Sequence, residues 1–226
     1  MNHLKRGFLS ILPIVSGILP FGAVMGATFS DAQLPFWQAL FMNVTLYSGA
    51  AQLATIELMK LKTAVFVVVG TGLIINIRFL LYSAALAPYM QKAPLWLRIF
   101  SSFTLTDQSY AAMSAHADSF ETNEDAMRFY LGSALGMLFF WHTSTLIGFV
   151  FGNIAPASLN LDYAVPLSFV ALMIPSLKTN NHKIVALVSS LLSLILYPMP
   201  LRTGLITTAL LSIGVAWFLI GRRKKV

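Results

Sequence analysis

The sequence predicts an all-α protein, a polytopic membrane helix bundle with about eight membrane segments, some of them broken by proline or glycine. Of its 226 residues, 57% are hydrophobic and 10% are charged, whereas a soluble domain has about 25% charged residues. Mean hydropathy is +0.76. Several apolar runs are long enough to cross a bilayer, since about 20 helical residues span its hydrocarbon. We therefore expect residues 1–226 to form a single integral membrane domain.

The first apolar run, 8–29, follows Lys5 and Arg6 and is too long for the core of a signal peptide. We expect a retained first helix. Pro20 removes a backbone donor inside it, and Gly22 lets a neighbouring backbone approach closely. A helix interrupted beside a solute site and a simple packing kink both fit this pattern. We predict the interruption, with Pro20 and Gly22 near the solute.

The second run, 35–59, has a centre that is poorly suited to lipid because polar and small residues crowd it. These residues are Asn43, Tyr47, Ser48, Gly49 and Gln52. Several of them can share one side of a helix. They favour contact with a polar solute, although serine and threonine also join helices to one another. We predict a second discontinuous helix here.

The third run, 63–90, carries Asn76 and Arg78 near its middle. A guanidinium at that depth costs about 3 kcal/mol on insertion scales, so it normally faces a partner or a wet cavity. The alternative is that its aliphatic stem lets the charge reach the nearer interface. The distance from Arg78 to both ends of the run favours a functional role.

The fourth run, 95–113, contains Thr106 and Asp107 and is polar enough for hydropathy to leave it outside the membrane. The positive-inside rule favours a crossing, because an even number of crossings then places most Lys and Arg residues on the side of both termini. A re-entrant segment is the alternative. We predict that Arg78 and Asp107 share one polar chamber, paired directly or bridged by water or substrate, because an unpaired buried charge is worse than a buried pair. Asp107 could instead cap a helix at the interface.

The fifth run, 126–151, contains two pairs of glycines at four-residue spacing, Gly132 with Gly136 and Gly148 with Gly152. Such pairs indicate close helix packing, either within the chain or against a partner. His142 interrupts the apolar face, as a hydrogen-bonded bundle residue or as part of a proton relay. Three further runs, 157–177, 184–201 and 204–220, are typical of scaffold helices.

Several classes of function are disfavoured by what the sequence lacks. It has no phosphate-binding loop, no His-Glu-x-x-His and no Gly-x-Ser-x-Gly motif. Its histidines lack metal-ligand spacing, and its basic residues flank apolar runs instead of forming a nucleic-acid surface. We expect no cofactor, no nucleic-acid partner and no enzymatic activity. A secondary transporter or a channel subunit remains.

Four motifs carry a resemblance to a known family. They are Pro20-Phe-Gly22-x-x-x-Gly26, Tyr47-Ser-Gly-Ala-Ala-Gln52, Asn76-x-Arg78-x-x-x-Tyr82 and Leu105-Thr-Asp107. In their order, and over nearly the whole chain, the sequence resembles the AzlC family, the large membrane subunit of branched-chain amino acid exporters of the LIV-E type. It departs from the family at Phe79 and Gln108, where His and Glu are common.

The resemblance implies a multi-pass subunit in the bacterial inner membrane, and the distribution of basic residues predicts that both termini are cytoplasmic. The implied substrates are neutral branched-chain amino acids such as valine, leucine and isoleucine, with methionine as a further candidate, and the implied partner is a small AzlD-type membrane subunit. The alternatives are transport of another small zwitterion or anion, and a structural subunit without its own pathway. The predicted substrate-binding residues are Pro20, Gly22, Asn43, Tyr47, Ser48, Gly49, Gln52, Asn76, Arg78, Tyr82, Thr106 and Asp107.

Overall fold

A computed structural model describes residues 2–154, 177, 179–199 and 204–223, and this part of the chain is helical, with no strand. The helices are α1 (His3–Asp31), α2 (Phe36–Thr45), α3 (Gly49–Lys60), α4 (Val65–Asn76), α5 (Arg78–Met90), α6 (Leu95–Phe103), α7 (Asp107–Ala115), α8 (Asn123–Ile154), α9 (Asn180–Ile195) and α10 (Gly204–Arg223). The chain divides into two compact units, Met1–Ser168 and Phe169–Val226.

The core of the first unit is a parallel pair of long helices, α1 and α8. A side chain on Gly7 would meet the backbone of Phe129, and one on Gly148 would meet the backbone of Ala23. Contacts thus advance in the same direction along both helices, so their starts lie at one end of the bundle and their ends at the other. We call these ends the N face and the C face. Parallel packing at this distance requires glycine, because any side chain would displace the other backbone.

The glycine pairs of α8 therefore pack within this chain. Gly132 lies against Leu4 and Gly152 against Ala27. The alternative that they form an exposed surface for a partner is wrong.

The predicted interruption at Pro20 is also wrong, because α1 is helical throughout and contains both Pro13 and Pro20. Both prolines lie on the exposed side of the helix. The opposite side, which includes Gly22, packs on α8. The helical hydrogen bonds that the two prolines cannot donate are thus missing on the outer side of α1, and the packing of α1 on α8 is undisturbed.

Helices α2 and α3 form a re-entrant hairpin, hairpin 1, so the predicted crossing by this run is wrong. Lys60 at the end of α3 forms an ion pair with Asp31 at the end of α1. Near the turn, the Gln52 side chain donates to the Leu46 carbonyl oxygen over 2.7 Å. The hairpin therefore enters from the C face and returns to it. Irregular backbone at membrane depth is tolerated only where protein or a wet cavity surrounds it.

Helices α4 and α5 together cross from the C face to the N face. The Asn123 side chain, at the start of α8, donates to the Pro88 carbonyl oxygen near the end of α5 over 3.3 Å. The two helices are separated by Ile77, where the α-helical hydrogen-bond pattern is interrupted. The Ile77 N–H donates to the carbonyl oxygen of Ile74, three residues earlier. Arg78 follows directly, midway between Val65 and Met90. The run is long and apolar enough to cross a membrane, as predicted, and its interruption was not foreseen.

Helices α6 and α7 form a second re-entrant hairpin, hairpin 2, which enters from the N face. Helix α6 follows α5 directly, so the hairpin begins at the N face. Helix α7 ends beside the start of α8, where the rings of His116 and Phe129 are in contact, with centroids 4.8 Å apart. Both ends of hairpin 2 thus lie at the N face. The crossing that the positive-inside rule favoured is wrong, and the re-entrant alternative is the one observed.

Three helical segments of the described residues are long and apolar enough to cross a membrane: His3–Asp31, Val65–Met90 and Asn123–Gly152. The first two are each followed by a re-entrant hairpin, and the two hairpins enter from opposite faces. This is the arrangement of an inverted repeat, which many transporters use.

The sequence carries a matching internal repeat. Hairpin 1 begins with Pro35-x-Trp37 and hairpin 2 with Pro94-x-Trp96, and each first helix runs into Thr-Leu, at Thr45 and at Thr104. Pro35 and Pro94 are both the residue before the first helical turn, a position where proline is well tolerated because no helical donor is lost. The two hairpins therefore correspond in sequence as well as in shape.

In the second unit, α9 and α10 lie in two of the predicted scaffold runs. Ser212 and Ser189 are joined through their hydroxyl groups at 2.9 Å. The predicted run 157–177 falls almost wholly outside the described residues, and the total of eight membrane segments is not confirmed.

Candidate functional site

The turn of hairpin 1 is held by a buried polar network. The Asn43 side-chain oxygen accepts from the Trp141 indole over 2.9 Å and from Gln52 over 3.3 Å. Asn43 and Gln52 are 4% and 0% exposed. The bond from Trp141 joins the turn to α8, and the Gln52 side-chain oxygen is left without a partner among the described residues.

The start of α3 lies inside the protein at this turn. The first N–H groups of a helix have no helical partner and carry partial positive charge. Ser48 occupies the capping position but makes no capping hydrogen bond, and its hydroxyl has no partner among the described residues. Gly49 leaves no room for a side chain, because a Cβ there would lie 2.6 Å from the Trp141 ring. The turn thus presents free donors at mid-depth.

Tyr47 lies where the two hairpins meet. Its ring stacks on His142 of α8 and on Phe103 at the turn of hairpin 2, with centroids 5.5 and 6.3 Å apart. Tyr47 is 7% exposed, and its buried hydroxyl has no hydrogen-bond partner in the described part of the chain. A buried hydroxyl without a partner is a costly arrangement unless a solute or water satisfies it.

His142 has its tautomer set by the backbone. Its Nδ1 lies 2.9 Å from the Leu138 carbonyl oxygen. A carbonyl only accepts, so Nδ1 carries the proton and neutral His142 keeps an accepting lone pair on Nε2. The bundle interpretation of His142 is confirmed by this bond, and a relay stays a prediction.

Arg78 and Asp107 form a direct ion pair, with Nη1 and Oδ2 2.9 Å apart. The predicted pairing is confirmed. Asp107 is also the first residue of α7, after Thr106, whose side chain caps the helix by accepting from the Ser109 N–H. The acid therefore lies at a helix start, as the alternative proposed, but at the re-entrant turn and not at a membrane interface.

The ion pair leaves polar atoms without partners. Asn76 Oδ1, Arg78 Nε and Asp107 Oδ1 are buried atoms with no hydrogen-bond partner in the described residues. The two charged side chains are nevertheless 36% and 38% exposed as a whole. Charges at this depth do not face lipid tails at low cost, so the pair borders a polar space. Tyr82 stacks on Tyr110 beside it, with centroids 4.3 Å apart.

An apolar cavity of about 190 Å³ leads from the turn of hairpin 1 toward the C face. Asn43 and His142 line its polar part, and Phe36, Ala39 and Phe149 line its apolar part. We call it the C-face cavity.

The structure thus gathers the predicted site residues into two neighbouring groups. Asn43, Tyr47, Ser48, Gly49 and Gln52 lie at the turn of hairpin 1. Asn76, Arg78, Tyr82, Thr106 and Asp107 lie around the ion pair. Pro20 and Gly22 belong instead to the outer and inner sides of α1. The substrate-binding role of these residues stays a prediction.

Trp141, His142 and Phe103 complete the site. Sequence reasoning singled out His142 without placing it at the solute site, and it missed Trp141 and Phe103. A large aromatic residue in a membrane helix is usually a packing residue, so no local pattern distinguishes them. The internal repeat was the available signal, because it places the turns of two equivalent hairpins at the same depth.

Three segments long and apolar enough to cross a membrane, and two opposed hairpins that bring charges to mid-depth, are typical of an integral membrane protein of the transporter type. Residues 13–155 match the family model described as AzlC protein. The chain therefore belongs to the AzlC family, whose members are membrane proteins generally linked to transport.

Two relatives from Helicobacter pylori are similar over most of the chain. The one from strain J99 is 24% identical over 185 residues, which cover 81% of this chain and 80% of the relative. The one from strain 26695 is 23% identical over the same shares. Both are described as uncharacterized membrane proteins. No solved structure matches this chain.

Proposed function

We propose that this chain is the large subunit of a secondary transporter that exports neutral branched-chain amino acids across the bacterial inner membrane. Valine, leucine and isoleucine are the expected substrates, with methionine as a further candidate. The observation that carries the proposal is the meeting of two opposed hairpins at mid-depth beside the Arg78–Asp107 pair. Opposed repeats around a central site are the usual basis of alternating access.

A zwitterionic solute suits the free groups at this site. The start of α3, with the Ser48 hydroxyl, offers donors and partial positive charge to a carboxylate. Asp107, which has one unpartnered oxygen, offers an acceptor to an ammonium group. Asp107 would then alternate between holding Arg78 and holding the substrate amine or a proton. This exchange gives a physical basis for coupling.

The apolar side chain of the substrate would occupy the C-face cavity. Its volume of about 190 Å³ accommodates a branched aliphatic group and leaves little space beyond it. Phe36, Ala39 and Phe149 supply an apolar wall, and burying each methylene there contributes about 0.8 kcal/mol. An acidic or basic side chain would lose its hydration without a partner.

Basic residues orient the described part of the protein. Lys5, Arg6, Lys92 and Arg128 lie toward the N face, and Lys60 and Lys62 lie at the C face. The positive-inside rule therefore favours a cytoplasmic N face and N-terminus. We expect a cytoplasmic C-terminus as well, because the sequence ends in a basic run, and a small AzlD-type subunit as the partner.

Efflux from cells loaded with isoleucine- or methionine-containing dipeptides tests the proposal. Cells that produce this chain and its small partner should release the free amino acid faster than cells that produce neither. Labelled-leucine flux in liposomes, with and without the partner, separates a transporting subunit from a structural one. Absence of flux for every neutral amino acid would contradict the proposal.

Tyr47→Phe separates a solute contact from a packing role. The substitution keeps the ring that stacks on His142 and Phe103 and removes a hydroxyl that has no partner. We expect unchanged or slightly higher thermal stability, since no hydrogen bond within the protein is lost. Efflux should fall several-fold because the solute loses a donor. Normal efflux by this variant would remove the Tyr47 hydroxyl from the site.

A further inference from the structure

A second cavity, of about 300 Å³, lies between α5 and α6. Ser83, Gln91, Arg98, Ser101 and Leu105 are among the residues that line it. Gln91 and Arg98 lie toward the N face, and Leu105 lies at the turn of hairpin 2, two residues before Asp107. We call it the N-face cavity. It extends from the N face to the neighbourhood of the Arg78–Asp107 pair.

The N-face cavity has polar groups that the protein leaves unused. Arg98 forms no ion pair with any described residue. Arg78, by contrast, is paired with Asp107. Ser101 is 5% exposed, and its hydroxyl has no hydrogen-bond partner among the described residues. The Ser102 hydroxyl donates to the Arg98 carbonyl oxygen, which fixes this turn of α6. A cation and a buried hydroxyl thus line one space without an anion to bind.

The internal repeat makes this cavity the counterpart of the C-face cavity. Aligning Pro35 with Pro94 places Ala39 opposite Arg98 and Asn43 opposite Ser102. Ala39 and Asn43 line the C-face cavity, and Arg98 and Ser102 line the N-face cavity. Equivalent faces of the two hairpins therefore border one cavity each. At the aligned position, the N-face cavity has Arg98 where the C-face cavity has Ala39.

We propose that the N-face cavity is the loading site for the transported solute and that Arg98 binds its carboxylate there, with the Ser101 hydroxyl as a second donor. Identifying the solute as a neutral amino acid rests on the function proposed above. A guanidinium matches a carboxylate in charge and planar shape. The C-face cavity has alanine at the equivalent position, so carboxylate capture is restricted to one face. Solute would be concentrated on the side from which it is exported.

The natural absence of cysteine makes this site accessible to direct chemical measurement. We would introduce Ser102→Cys into the full chain and measure its labelling rate by an anionic and a cationic methanethiosulfonate reagent. Ser119→Cys, in the N-face connector between α7 and α8, identifies which side of the membrane reaches this face. Ser83→Cys, on the α5 wall, gives the same readout should the first variant fail to fold. Neither reagent crosses membranes, so the side of access is read directly.

The proposal expects Ser102→Cys to react from the same side as Ser119→Cys, about fivefold faster with the anionic reagent, as one nearby positive charge would cause. Millimolar leucine should slow this labelling several-fold. Arg98→Gln should abolish both effects. Lys92→Gln, which removes a positive charge from the same face but outside the cavity lining, should leave both effects unchanged.

The outcomes separate this inference from the function on which it rests. Equal effects of Arg98→Gln and Lys92→Gln, or no anion preference, would overturn the site. Leucine export without leucine protection would overturn its role in loading. If the anion preference depends on Arg98 but leucine is neither exported nor protective, the anion-binding cavity stands and the proposed function fails.

Discussion

Replacing either Arg78 or Asp107 by alanine is expected to reduce amino acid efflux to the background of cells that lack the protein. The two side chains form an ion pair at mid-depth, with Nη1 and Oδ2 2.9 Å apart. Removing one partner leaves an uncompensated charge, which costs about 3–5 kcal/mol when the pair is buried, and the partial exposure of this pair places it below that range. Each single variant also removes a group assigned to substrate or proton exchange.

The effect on transport can be separated from the effect on folding. The Arg128–Glu124 pair at the start of α8 is a matched control, because it is more exposed and joins residues one helical turn apart. Arg128→Ala should change neither abundance nor efflux measurably, since surface pairs contribute about 0–1 kcal/mol. Removing Arg78 and Asp107 together should restore abundance in the membrane without restoring efflux. Normal efflux by either folded single variant would rule out the proposed exchange.

Asp107→Asn tests the exchange itself. Asparagine keeps the size of the side chain and one accepting oxygen but cannot take up a proton or hold a charge. We expect efflux that is strongly reduced and no longer responds to pH. If Asp107→Asn transports normally across pH, Asp107 is not a switch.

Gly148→Ala is expected to prevent the protein from accumulating in the membrane. A Cβ at Gly148 would lie 1.9 Å from the Ala23 carbonyl oxygen, and backbone atoms of a long helix cannot yield as a flexible side chain can. The parallel contact of α1 and α8 would have to open, and with it the surface that holds the turn of hairpin 1. Overpacking in a core typically costs about 1–3 kcal/mol, and a clash with backbone belongs at or above the upper end.

Gly70→Ala is the matched control for that experiment. Gly70 also lies within a membrane-spanning helix, but a Cβ there would meet no atom within 4 Å. Membrane abundance and thermal stability should match the wild type, with a small gain possible only from the higher helix propensity of alanine. Equal accumulation of the Gly148 and Gly70 variants would mean that the close packing of α1 on α8 is not required.

The ion pair was predictable from the sequence because the physics of burial is local. A charge in the middle of an apolar run needs a partner wherever the run lies, and Asp107 lies in the next run along the chain. The turn at Tyr47–Gln52 was predictable for a similar reason, since polar and small residues interrupt the apolar run there. The glycine pairs of α8 indicated close packing, but not which helix they pack against.

The direction of the chain after each interruption was not predictable in this way. Hydropathy gives the length of an apolar run but does not distinguish a run that crosses from one that folds back at its centre. The return of hairpin 1 depends on contacts remote in sequence, such as Lys60 with Asp31 and Asn43 with Trp141. The interruption predicted at Pro20 was wrong because this proline lies on the exposed side of a well-packed helix, where it does not break the helix.

Labelling of single cysteines from each side of the membrane tests the central claim, that two opposed re-entrant hairpins form the site. The variants are Gln33→Cys and Leu61→Cys, which flank hairpin 1, and Lys92→Cys and Ser119→Cys, which flank hairpin 2; the chain has no other cysteine. The fold described here predicts that the first two react from one side and the last two from the opposite side. If the members of either pair react from different sides, that hairpin crosses the membrane and the account is wrong.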